Sequence, residues 1–265
     1  MEPTRLRIII LTQEDHLYLP QPLATVCREY SNEIACIVTC PAMTLHGSAF
    51  KGVLRHVSLF GFKGTCILGY RMVIAKIKGR LLHPSLNSRF YSIQQVAKAF
   101  EIPFYHVSKI KDQQFQDILE KHKPDLLVSI SCPQIIGKKI RARIPMGCIN
   151  VHGAPLPKYR GMLPSFWVLQ NGEDKTATTV HDLEAKLDDG DILIQKEVEI
   201  APDETWDTLV RKTKAQGAQA LILAIKQIKE GTVERKPNRA EDATYYSFPT
   251  AKDRKAFIRA GRRFF

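Results

Sequence analysis

Short apolar runs rich in β-branched residues recur along this chain, each separated from the next by a stretch of helical character, and that alternation admits few folds. Residues 5–11 (RLRIIIL) end in such a run, pass through turn-compatible polar residues and lead into a helical stretch over 20–30. Residues 34–39 (IACIVT) supply a parallel partner, so the chain opens as β-α-β with a right-handed crossover. The alternation resumes with a helix near 93–100, a short strand at 104–107, a helix over about 112–122 and a strand at 125–130 (DLLVSI), with Pro124 at the last boundary. Residues 147–152 (GCINVH) form a further strand that enters a loop rich in proline and glycine, and 178–181 and 192–200 read as later strands. Over 205–230, Leu209, Thr213, Gly217, Leu221, Ile225 and Ile228 recur at helical spacing and Gly231 is a stop. Gly217 weakens that helix unless another element packs closely against it. The fold class is α/β: an open, mostly parallel twisted sheet with helices on both faces.

A chain of 265 residues, 44% of them apolar, buries a real core as one large domain. We assign that domain to 1–235, with a basic helical insertion over about 42–90, and 236–265 to a basic tail that is not an independent domain. No run reaches the roughly 20 apolar residues that span a bilayer, and the N-terminus lacks a small-residue cleavage site, so a cytoplasmic location is expected. Cys27, Cys36, Cys40, Cys66, Cys132 and Cys148 show no paired spacing and are read as reduced. A net charge of +12 points to polyanionic company: nucleic acid, nucleotide phosphates or an anionic membrane face.

The insertion sharpens that last point. Between 51 and 80 stand Lys51, Arg55, Lys63, Arg71, Lys76, Lys78 and Arg80 without one acidic residue, interleaved with Leu54, Phe60, Phe62, Tyr70 and Ile74. This predicts one or two basic amphipathic helices, either a solvated face or a surface for an anionic substrate or a membrane.

The densest cluster of reactive side chains is Asn150-Val151-His152. Residues two apart on a strand face the same side, so the amide and the imidazole project together from a carboxyl end, where open parallel sheets bind ligands. Such a pair suits acyl transfer, in which an oxyanion needs a donor and an attacking amine must lose a proton. Cys148 shares that face, but neighbouring parallel side chains do not converge into a thiol triad. The histidines and acids show none of the compact spacings of a zinc site, so no metal is expected.

The segment INVHGAPLPKYRGMLPSFWVLQNGE resembles the signature of the formyltransferases that use 10-formyltetrahydrofolate, a family that includes methionyl-tRNA formyltransferase, glycinamide ribonucleotide transformylase and the amino-sugar N-formyltransferases. The family pattern is Asn-x-His, a Ser-Leu-Leu-Pro-like loop, then Arg-Gly. Here Gly153-Ala154-Pro155 departs from that loop, while Leu156-Pro157 and Arg160-Gly161 keep it. VHDLEAKLDDGDILIQKEVEI looks like the family's strand, acidic loop and strand.

The resemblance implies a Rossmann-like formyltransferase fold and a catalytic set of Asn150, His152 and Asp188, with Asp189 as the neighbour that could take the last role. It implies that His181, Asp189 and the loop Ser131, Cys132, Pro133, Gln134, Ile135 and Ile136 bind the folate donor, with Ile135 and Ile136 against the pterin or its linker. Asn150 and His152 would stabilise the oxyanion, and an aspartate beside His152 would raise its pKa and favour the protonated form. Tyr159 and Arg160 are candidates to touch an anionic amine acceptor, Arg160 being equally a structural anchor for its loop.

Among acceptors, glycinamide ribonucleotide is disfavoured because Leu11-Thr12-Gln13-Glu14-Asp15 is acidic and lacks the glycines of a phosphate loop. Methionyl-tRNA fits the charge, yet the segment after Glu230 is too short for the C-terminal barrel those enzymes carry. A nucleotide- or lipid-linked amino sugar fits better, with peripheral membrane contact through the insertion. The alternatives are a methionyl-tRNA formyltransferase-like protein without the barrel and a non-catalytic folate- or RNA-binding relative. Nucleic acid as a partner is not favoured, because no recognisable binding motif is present.

Overall fold

In a computed structural model, the described residues are 5–41, 49–86 and 88–265. The first part of the insertion, 42–48, and Asn87 lie outside them, as do the side chains of Ala49, Phe50 and Lys51.

The β-branched runs become strands buried on both faces. β1 (Ile8–Gln13), β2 (Ile34–Cys40), β3 (Phe104–His106), β4 (Leu126–Ile130) and β5 (Cys148–His152) are mutually parallel in the order β3-β2-β1-β4-β5. The short β6 (Arg160–Gly161) leaves the sheet, and β7 (Lys175–Asp182) and β8 (Ile192–Glu199) add to it antiparallel, giving seven strands in all. β7 starts earlier and runs further than the expected 178–181, and its buried Thr178 and Thr179 hydroxyls donate to the carbonyls of Thr213 and Ala154.

On one face lie α1 (Pro20–Tyr30), the helix that follows the insertion, and the long helix near the C-terminus. The insertion itself is a broken helix, α2 (Ala49–Leu81), followed by α3 (Ile93–Ala99). α4 (Gln113–His122) and α5 (Lys138–Arg141) pack the opposite face around Ile9, Phe115 and Ile140. After α6 (Pro164–Gln170) comes α7 (Trp206–Glu230), opened by a Thr205–Thr208 capping box and closed by Gly231 in the left-handed region. A Cβ on Gly217 would stand 2.9 Å from Val151 Cγ1 and 3.1 Å from Thr178 Cγ2. The glycine that weakens the helix is thus what lets α7 lie directly on β5 and β7.

The basic C-terminal segment forms β9 (Tyr245–Tyr246), parallel to β6, and α8 (Ala251–Arg259). Its Phe257 and Phe264 join Leu59 and Phe60 of α2, Phe166 and Trp206 in a third apolar cluster. α2 breaks at Gly61 (φ 71°), over which the Arg254 guanidinium lies, so the insertion consists of two helical limbs.

Candidate active site

β4 and β5 end side by side, and the loop after β7 folds back over them, so the sheet's carboxyl edge gathers residues distant in sequence. Asn150 pairs with His181 across the antiparallel β5–β7 ladder. The Asn150 amide lies 3.1 Å from His181 Nε2, whose other nitrogen, Nδ1, is 2.8 Å from the Asp182 carbonyl. A carbonyl accepts only, so Nδ1 donates to it, and Nε2 lies within hydrogen-bond reach of the Asn150 amide. The same logic fixes His152: Nε2 donates to the Tyr159 carbonyl at 2.8 Å, leaving the lone pair of the neutral ring at Nδ1.

Asp188 stands between the two imidazoles. Its Oδ2 is 3.6 Å from His152 Nδ1, and its Oδ1 is 3.6 Å from His181 Nε2. The Gly161 N–H donates to Oδ2 at 2.9 Å. Burial pushes the Asp188 carboxyl up, but the facing imidazoles and the Gly161 N–H outweigh it and hold it at about 2. For His152 the balance reverses. Burial, reinforced by His181 and Lys214, lowers its pKa more than Asp188 raises it. The expectation of a protonated His152 is therefore corrected: desolvation of a fully buried ring outweighs one carboxylate.

Of the two adjacent aspartates, only Asp188 faces the imidazoles. Asp189 forms an ion pair with Arg160, whose Nη2 donates to both the carbonyl and Oδ1 of Asn238, at 3.0 and 2.8 Å. Asn238 Nδ2 in turn donates to the carbonyls of Asp188 and Gly190, both at 2.9 Å. The buried Arg160 thus clamps the acidic loop, with its guanidinium taken up by Asp189 and Asn238, while Asp189 itself stays partly exposed. The Tyr159 side chain also points elsewhere, stacked on Tyr246 and bonded to Glu173 at 2.5 Å, so that only its carbonyl reaches the site.

The loop after β4 divides similarly. Ile136 is buried in the core with Ile140, and Gln134 braces the chain at Ser108 and Ile110, so both are occupied inward. Ile135 is 71% exposed, and Ser131, Cys132 and Pro133 are half-buried. Ser131 adopts φ 56° and accepts from Lys214 Nζ at 2.5 Å. Burial depresses the Lys214 pKa. Nothing in the sequence marks Lys214, since one lysine among the polar residues of α7 reads as solvated. Among the described residues no cluster of three or more His, Cys, Asp or Glu is placed to hold a metal.

A cleft of about 730 Å³ opens between the loop after β1, α2 and α7. Arg71, Lys78, Arg89 and Arg211 line it, with Asp207 tied to Arg71, Arg211 and the Tyr18 hydroxyl. At the start of α1, Asp15 Oδ1 accepts the N–H groups of Leu17, Tyr18 and Leu19 at 2.6–3.1 Å. A carboxylate of the chain thus fills the place where a helix N-terminus would hold an anion.

Residues 87–225 match the family model described as formyl transferase. The methionyl-tRNA formyltransferase of Syntrophus aciditrophicus is 36% identical over 167 residues, 63% of this chain and 53% of the relative, so the chain spans about half the length of that curated relative. In fold, the chain is similar to the phosphoribosylglycinamide formyltransferase of Anaplasma phagocytophilum (TM-score 0.59, 17% identity, 92% of this chain and 99% of the other). It is also similar to the N-formyltransferase of Helicobacter canadensis in complex with folinic acid and dTDP-3-aminofucose (TM-score 0.58, 15% identity, 91% and 71%). A matching family model over more than half of the chain, joined to the Asn150–His152–Asp188 arrangement, places the chain in the formyl transferase family.

Proposed function

We propose that this chain transfers a formyl group from 10-formyltetrahydrofolate to an anionic amine, a nucleotide- or lipid-linked amino sugar. The observation that carries the reading is one ionised carboxylate, Asp188, set between two imidazoles beside the Asn150 amide at the sheet's carboxyl edge. The loop after β4 fits a folate: the exposed Ile135 offers apolar contact, and half-buried 131–133 would bond a pterin edge through its backbone. When bound, the donor supplies a formyl carbonyl open to attack by an amine.

Each residue then has a definite task. Asn150 has two amide protons, and with one engaged by His181 the other is left for the oxygen on which charge develops. His152, neutral and tied through Nε2, takes the proton of the attacking amine at Nδ1. Asp188 stabilises the imidazolium, which returns the proton to the departing nitrogen as the new N–C bond replaces the old one. The cationic cleft, lined from the loop after β1, α2 and α7 rather than by the catalytic residues, is the seat this reading gives to the acceptor's phosphates.

The curated relatives favour a second acceptor, methionyl-tRNA, by their name. The test is tetrahydrofolate release by the purified protein given 10-formyltetrahydrofolate and, separately, nucleotide amino sugars, diphosphate-lipid amino sugars and methionyl-tRNA, with mass spectrometry of each. A formylated amino sugar is the expected result. Formylation of methionyl-tRNA alone would overturn the acceptor, and folate binding without transfer to any amine would favour the non-catalytic relative.

A further inference from the structure

A helix on the surface of a soluble domain turns its apolar side inward and its polar side to water. The second limb of α2, from Phe62 to Leu81, does not. Its inner face consists largely of small residues and close contacts. Gly64 sits against the Phe265 ring, Ala75 is buried, Arg71 reaches Asp207 at 3.1 Å, and Gly79 lies beside Tyr91. The larger apolar side chains are on the other side: Phe62 is 78% exposed, Tyr70 70%, Val73 55%, Ile77 48% and Leu81 72%. Positions 62, 66, 70, 73, 77 and 81 follow one another at intervals of three or four, so these side chains form a single stripe about 30 Å long. Exposed Leu82 and Leu86 extend it.

The charges beside the stripe are of one sign. Lys63, Lys76 and Arg80 are exposed along it, and no Asp or Glu occurs anywhere in 49–81. A contiguous outward apolar strip of this kind marks an interaction surface. Its one-signed flanks select the partner: a two-fold contact with a second copy would set cationic flank against cationic flank, whereas an anionic bilayer complements both.

We propose that the outer face of α2 docks the protein on an anionic membrane, with Phe62, Val73, Ile77 and Leu81 in the headgroup and acyl boundary and Lys63, Lys76 and Arg80 among lipid phosphates. Although its apolar residues are interrupted by basic ones, the helix over 52–81 is by length and composition sufficient to cross a bilayer, which the expectation from uninterrupted apolar runs does not anticipate. The packing argues for lying on it instead. Leu59 and Phe60 are buried against Trp206 and Phe264, the helix breaks at Gly61, and crossing would strip Arg71 from Asp207. Tyr70 belongs to the stripe and also lines the cationic cleft, so the cleft opens beside the docked face.

The test is flotation of the purified full chain with vesicles of phosphatidylcholine alone and of phosphatidylcholine with phosphatidylglycerol. We expect it to float with the anionic vesicles and to bind neutral ones at least about tenfold more weakly. Val73→Asp with Ile77→Asp should reduce binding to anionic vesicles by at least about tenfold without altering circular dichroism or melting temperature, because both side chains already face outward. Lys63→Glu with Lys76→Glu should do the same. A wild-type chain that stays with the soluble fraction overturns the proposal. So does equal flotation of the aspartate variant, and so does a dimer that this variant dissociates while vesicle binding is absent.

Discussion

Burial lowers the pKa of His152 and the facing Asp188 raises it, and the balance between them sets a specific expectation for pH. His152 is neutral because burial lowers its pKa below 6.5. Transfer should therefore be flat above about pH 6.5 and fall as acid protonates the ring. Stability has the same sign. The unfolded imidazole binds a proton near pH 6.5 and the folded one resists it, so this contribution is complete above about 6.5 and is lost as pH falls towards the folded value. Asp188 behaves separately: its depressed pKa stabilises the fold above about pH 4, and that stabilisation disappears as pH falls towards about 2. Melting temperature and kcat/KM measured from pH 8 to 3 check both. In Asp188→Asn the charge that raises His152 is gone, so the acid limb of any remaining activity should move to lower pH. Asn150→Ala, which removes the proposed oxyanion donor, should lower kcat by about 10²–10³ with little change in folate KM. The Asn-x-His pair was legible in the sequence because strand alternation alone puts both residues on one side. The protonation state was not, since it depends on how completely Tyr159, the 153–157 loop and α7 exclude water.

At the scale of elements, the acidic loop is held by partners far away in the chain. Arg160 meets Asp189 and Asn238, 29 and 78 residues on, so spacing within the signature could not distinguish a ligand arginine from a clamp. Arg160→Ala leaves Asp189 half-buried without its partner and should cost about 3–5 kcal/mol in chemical denaturation. It should lower kcat through displacement of Asp188 while leaving acceptor KM in place; a selective rise in acceptor KM would restore Arg160 to ligand binding. Gly217→Val should cost about 1–3 kcal/mol, because its Cβ alone would overlap Val151 and Thr178. Helical spacing predicted α7, and the misfit of its glycine signalled a close neighbour without naming it. The antiparallel sense of β7 and β8 was not readable, since an apolar run carries no direction. The small β6–β9 sheet, with two residues in each strand, is below what periodicity registers.

For the whole molecule, part of the positive charge gathers on the outer face of α2 and part in the cleft beside it. The alternation of strands and helices made the sheet legible from the sequence, but the cleft draws Lys78, Arg89 and Arg211 from separate segments and exists only once α2 folds over α7. Lys78→Ala with Arg89→Ala should raise the KM for an anionic acceptor by about tenfold and leave the folate KM unchanged, as steady-state kinetics with each substrate varied will show. The central claim is that the Asn150, His152 and Asp188 arrangement moves a formyl group from folate to an amine. The most direct measurement is a single-turnover reaction of 10-formyltetrahydrofolate with a nucleotide-linked amino sugar, comparing the wild-type chain with His152→Gln and reading tetrahydrofolate release and the formylated product together. The account predicts equal yields of both products from the wild-type chain and a rate lower by about 10²–10⁴ from the folded variant; equal rates in the two proteins would contradict it.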